Sequence, residues 1–86
     1  MDSNIEVIAL FLGDTNGSEL HSPKYSEGAE RLVRNSDGTV RLEAVESQEE
    51  FDRTARITGT FRRGKAIRDP KTFEVIGYEM EEISRL

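Results

Sequence analysis

Seven cations fall within residues 53–71: Arg53, Arg56, Arg62, Arg63, Lys65, Arg68 and Lys71, against Asp69 alone. Guanidinium and ammonium groups at that density can neutralise a row of phosphates or meet carboxylates on another protein. A single-strand binder also wants aromatic stacking platforms, and only Phe61, Phe73 and Tyr78 lie nearby. The plainer reading is that these cations pair with acidic strands beside them and keep a sheet edge soluble. Residues 1–52 carry twelve carboxylates and four cations, and residues 72–86 carry four and one, for a chain net of −5. Such sorting speaks to partners and solubility, not to fold.

Other constellations carry less. Glu43, Glu46, Glu49, Glu50 and Asp52 could imitate a phosphate track, but runs of this kind ordinarily form a solvated face around a capped helix. Asp14-Thr15-Asn16-Gly17-Ser18-Glu19 has calcium-loop residue types with the glycine and glutamate at the wrong positions for an EF-hand. His21 is the one histidine, so a multi-histidine metal site is excluded within one chain. A triad of His21 with Asp14 and a nearby serine would sit on a polar loop, which orients an acid, base and nucleophile poorly. With no cysteine, thiolate zinc sites, disulfides and cysteine nucleophiles fall away together. No catalytic inventory remains, no cofactor is implied and no small-molecule substrate is evident.

The elements that must position these groups read as short strands. Ile5 to Leu12 is apolar on both parities, as a strand buried on both faces would be, and is far too short to span a bilayer. The acidic N-terminus lacks a secretory basic region, so a cytoplasmic protein without a membrane segment is expected. Residues 13–28 form a long polar connection. Glu30 to Val45 is the clearest hairpin. With Ser36-Asp37-Gly38 as its loop and Gly38 left-handed, Asn35 faces Thr39, Leu32 faces Leu42 and Arg31 faces Glu43.

Ser47-Gln48-Glu49-Glu50 matches a capping box, allowing one or two helical turns near residues 47–53. Residues 53–61 alternate as a strand with Ala55, Ile57 and Phe61 on one face, and Gly59 marks a bulge or bend. Arg63-Gly64 then reads as a turn, Lys65 to Arg68 as a short strand, Asp69-Pro70-Lys71-Thr72 as a type I turn and Phe73 to Glu82 as the last strand.

The segment Gly64-Lys65-Ala66-Ile67-Arg68-Asp69-Pro70-Lys71-Thr72-Phe73-Glu74-Val75-Ile76-Gly77-Tyr78-Glu79 resembles a β-hairpin of bacterial envelope proteins. It occurs in the SH3-like barrel of a flagellar-assembly family and in some LysM-type proteins. Asp69, Pro70, Thr72, Glu74, Val75 and Gly77 match that pattern, and Phe73 stands where it has glycine. The resemblance covers 16 of 86 residues and implies a β-hairpin, with no catalytic residue to carry over.

The expectation is a single all-β domain over residues 1–86: a small antiparallel barrel or curled sheet, SH3-like or OB-like, of five or six strands with at most one short helix. Its expected core is Ile5, Val7, Ile8, Leu10, Phe11, Leu32, Leu42, Ile57, Phe61, Ile67, Val75, Ile76 and Tyr78. The function expected is a non-enzymatic protein-interaction module or small assembly subunit, of the type found among phage or bacterial accessory proteins. It would bind a protein partner or itself through Arg56, Arg62, Arg63, Lys65, Arg68 and Lys71. The alternative is a nucleic-acid-binding β-barrel using the same basic segment.

Overall fold

The structure, a computed structural model, describes residues 6–13 and 28–84. The calcium-like stretch, the serines and His21 of the long connection, and the expected core residue Ile5, lie outside the described residues.

Five strands and one helix follow in the order β1 (Glu6–Phe11), β2 (Glu30–Arg34), β3 (Val40–Ala44), α1 (Gln48–Thr58), β4 (Thr60–Arg68) and β5 (Val75–Ser84). The strands make one sheet ordered β3-β2-β1-β4-β5. β1 runs parallel to β4 and the other neighbours are antiparallel. Of the two forms expected from the sequence, the curled sheet is the one present; the closed antiparallel barrel is corrected to an open sheet that is mixed, because β1 and β4 run parallel. It curls enough that β3 and β5 come within 8 Å between Cα atoms. These edge strands are not hydrogen-bonded neighbours, so neither SH3-like nor OB-like closure forms.

Two apolar layers hold the sheet. Leu10, Ala29, Val45, Phe51 and Ala55 lie between the sheet and α1. Ala9, Phe11 and Leu32 lie on the opposite, concave face, with Ile8, Val40, Leu42, Phe61 and Tyr78 packed around them. From Ala9 to Leu12 alternate residues serve the two layers, while the register shift between Val7 and Ala9 puts Ile8 in the same layer as Ala9, so the segment is apolar on both parities. The β2–β3 hairpin has the expected register, with Leu32 opposite Leu42 and Arg31 opposite Glu43. Asn35 N–H donates to the Thr39 carbonyl at 2.7 Å, and Gly38 takes φ 94° in the turn.

Helix α1 begins with the serine half of the capping box. Ser47 Oγ accepts from the Glu50 N–H at 3.2 Å. The Glu50 carboxylate turns back one residue further than a full box would, accepting from the Glu46 N–H at 3.2 Å. The helix then runs to Thr58, so the strand expected over 53–61 is a correction. Phe51, Thr54, Ala55 and Thr58 form one buried stripe at helical spacing. The Thr58 hydroxyl donates to the Thr54 carbonyl at 3.1 Å, which lets a polar residue lie inside. Ile57, expected in the core, is 65% exposed. Gly59 caps the helix with φ 86° instead of bending a strand.

β4 is one strand where two had been expected. Arg63-Gly64 is not a turn: Gly64 and Lys65 together oppose Glu79 in a bulge between the Arg63–Met80 and Ala66–Tyr78 pairs. A Cβ at Gly64 would stand 2.9 Å from the Glu79 Cβ, so only glycine fits there. Past Phe61 the strand is exposed at every position to its end. Ile67 and Ile76, expected in the core, lie exposed there. The hairpin from Arg62 to Glu82 is thus a two-stranded arm whose outer part leaves the packed body. Among the described residues, no helix is long and apolar enough to cross a membrane.

Candidate functional site

The six basic residues proposed from the sequence do not converge. Arg56 sits in the last turn of α1, where its charge suits the helix C-terminus. The other five lie on β4 and its turn, and the sheet pleat separates them. Arg62 pairs with Glu81 on the neighbouring strand at 3.3 Å. Arg63 points to the concave face and donates to Glu30 at 2.6 Å. Its guanidinium also stands 5.9 Å from the ring centres of both Phe11 and Tyr78. Those two rings meet edge to face at 6.1 Å. Arg63 therefore ties the base of the arm to the body.

Arg68 is occupied as well, donating to the Phe73 carbonyl at 2.8 Å. Lys65 and Lys71 have no ion pair among the described residues. The crowding of charge expected around residues 62–65 is relieved by facing Arg62 and Arg63 to opposite sides.

The tip is closed by a set of local hydrogen bonds. Asp69 Oδ1 accepts from the N–H groups of Lys71 at 2.7 Å and Thr72 at 3.4 Å. The Asp69 carbonyl accepts from Phe73 N–H at 2.7 Å, and Asp69 N–H donates to the Glu74 carbonyl at 2.9 Å. Thr72 Oγ1 accepts from Glu74 N–H at 3.3 Å. A turn is present where the type I turn Asp69–Thr72 was expected, but it is one residue wider, since the Asp69 carbonyl meets Phe73 N–H and not Thr72 N–H. It closes only because Phe73 takes φ 65°, the one positive φ of a non-glycine residue among those described. Phe73 is also 71% exposed.

Sequence reasoning passed over the apolar residues of this element. Of the five large hydrophobic side chains exposed among the described residues, Ile67, Phe73, Ile76 and Met80 lie on the arm and Ile57 on α1. The signal was available in part: Ala66 and Ile67 are the only apolar residues from 62 to 68, too few to make a buried strand. Where the arm meets the body, Arg62, Arg63, Gly64, Glu79, Met80 and Glu81 line an open groove of about 280 Å³.

Away from the arm, Glu43 accepts from Arg31 at 2.9 Å and from Arg41 at 2.6 Å. The Arg31 and then the Arg41 hydrogen bond hold its carboxyl below its usual range, against the opposing effect of burial. Among the described residues no cluster of three or more His, Asp or Glu is placed to hold a metal ion. Comparison of the chain with protein-family models, with curated proteins and with solved structures finds no match.

Proposed function

We propose that the protein is a non-enzymatic, cytoplasmic protein-interaction module whose contact element is the β4–β5 arm. One observation carries this reading: the arm exposes Ile67, Phe73, Ile76 and Met80, whereas among the described residues the body exposes one large hydrophobic side chain, Ile57. Exposed apolar side chains grouped on one projecting element cost solubility and contribute little to the fold, which is the pattern of a surface that a partner covers. The basic residues have a narrower role than their number suggests. Arg62, Arg63 and Arg68 are engaged within the chain. That leaves Lys65 and Lys71 as the arm's cations for steering a partner or setting register.

The nucleic-acid reading needs several free cations along one face, and this engagement weighs against it. Steep salt-dependent binding of a labelled oligonucleotide would revive it.

The test places a photoactivatable benzophenone residue at Ile76 on the arm, and in a second protein at Ile57 on the helix. Both positions are apolar, and the helix position is the more exposed of the two (65% against 37%), so a preference for position 76 cannot come from exposure. The module reading expects covalent adducts from position 76, in purified protein or in cell extract, and few from position 57. Adducts from 57 alone, or from neither, overturn it.

A further inference from the structure

The outer strand of the arm, β5, ends the sheet, and its far edge has no hydrogen-bonded neighbour among the described residues. A row of unpaired N–H and C=O groups is a template for another strand, and proteins ordinarily blunt it with a bulge, a proline or a lysine. Between Gly77 and Glu82, β5 has none of these. Its extra residues, Ile76 and Ile83, fall outside that stretch, and the bulge within it belongs to β4. The result is a regular edge of roughly six residues, about 20 Å long. β3 approaches β5 from the other end of the sheet without hydrogen bonds. It has five residues against the ten of β5, so it can screen at most half of that strand.

The two faces of this edge differ. Met80 pairs with Arg63, so Met80 and Tyr78 lie on the concave face, and Met80 is 45% exposed there. Glu79 and Glu81 alternate to the opposite face. Glu81 holds Arg62 of β4 at 3.3 Å, and Glu79 has no ion pair among the described residues. β5 contains no cation, whereas β4 carries Arg62, Arg63, Lys65 and Arg68 and no carboxylate. An acidic strand, β5 of a second copy included, would set carboxylate against carboxylate along this edge. A strand with cations on the face of Glu79 and Glu81, and apolar side chains on the face of Tyr78 and Met80, would be matched at those four positions. Lys71 at the tip repels the same cations and so disfavours sliding of that strand outward.

We infer, resting on the arm as contact element, that the partner presents an extended segment in which cationic and apolar residues alternate, and that this segment adds to the sheet along Gly77–Glu82. Main-chain hydrogen bonds supply the affinity and the alternation supplies the specificity.

The test titrates the purified full chain with a peptide of about eight residues alternating Lys and Val, read by calorimetry and by amide shifts of isotope-labelled protein. Saturable binding with a dissociation constant below about 500 µM is expected, with the largest shifts over Gly77–Glu82. Alternate N–H groups of an extended peptide point to opposite edges. N-methylation of one alternate set should therefore abolish binding, while N-methylation of the other set leaves it. Glu79→Lys should weaken binding about fivefold, with the amide spectrum of the free variant still that of a folded chain.

Two N-methylated peptides that behave alike overturn the inference, as does binding indifferent to Glu79→Lys. Equal affinity for a peptide of the same composition with its Lys and Val in separate blocks overturns it too, as do largest shifts on β3. So does an absence of binding up to about 2 mM. In that last case, benzophenone adducts from position 76 to a protein would leave the module reading standing, and absence of adducts would remove both.

Discussion

At Phe73, the side chain and the backbone make opposing demands. The left-handed region costs a residue with a β-carbon roughly 1–2 kcal/mol, and an exposed ring recovers little of that through packing. Phe73→Gly removes the strain and adds back part of the loss as unfolded-chain entropy. The expected net is a gain of about 0.5–1 kcal/mol, seen as a thermal midpoint about 3–6 °C higher. A midpoint that falls would mean the ring packs in the folded chain.

Glu43 makes a different prediction at the same scale. Its folded carboxyl titrates below the ordinary value of 4.5 because of Arg31 and Arg41. A depressed folded pKa gives stabilisation that is complete above the unfolded value and is lost as pH falls through the folded one. Wild type should therefore exceed Glu43→Gln in stability near neutrality, by about 0.5–1 kcal/mol for a pair this accessible. The gap should close as pH drops below 4.5. Urea midpoints across that range measure it. A gap that persists in strong acid would show that the glutamate acts through something other than its charge.

At the scale of elements, α1 carries the fold. Phe51 is fully buried between helix and sheet. Its replacement by alanine should cost about 3–5 kcal/mol, a large part of the stability of a domain this small. Ser47→Ala should cost about 1 kcal/mol, since the Glu50 N–H loses its acceptor. Chemical denaturation of both variants checks the ranking, and a Ser47→Ala effect above that of Phe51→Ala would contradict it.

The N-cap of this helix was readable from Ser47 and Glu50, but its length was not. Thr54 and Thr58 satisfy strand alternation as polar residues and helical spacing as buried ones, and the second outcome depends on the Thr58 hydroxyl finding a carbonyl four residues back. The β2–β3 hairpin was legible to the residue, because one register alone set Leu32 against Leu42 and Arg31 against Glu43. The parallel β1–β4 pairing was not, since nothing local in either strand encodes a neighbour that lies across a hairpin and a helix. The basic residues stood out by type, yet their cross-strand partners followed from the bulge at Gly64, which sequence spacing had presented as a turn.

Across the whole molecule, one part is packed and another is exposed. The body buries Phe11, Phe51, Leu10, Leu32 and Val33 almost completely. The outer arm exposes apolar residues whose removal should leave the body standing. If that division holds, exposed Ile67, Ile76 and Met80 matter for contact and hardly for stability, and surface changes of this kind cost about 0.5 kcal/mol each. Denaturant unfolding of the triple variant Ile67→Thr, Ile76→Thr, Met80→Thr, set beside Phe51→Ala, tests the division most directly. The account predicts a total loss of about 1–2 kcal/mol for the triple variant, clearly below that of the single core change. A triple variant destabilised as much as Phe51→Ala would place those side chains in the service of the fold and contradict the arm as a contact element.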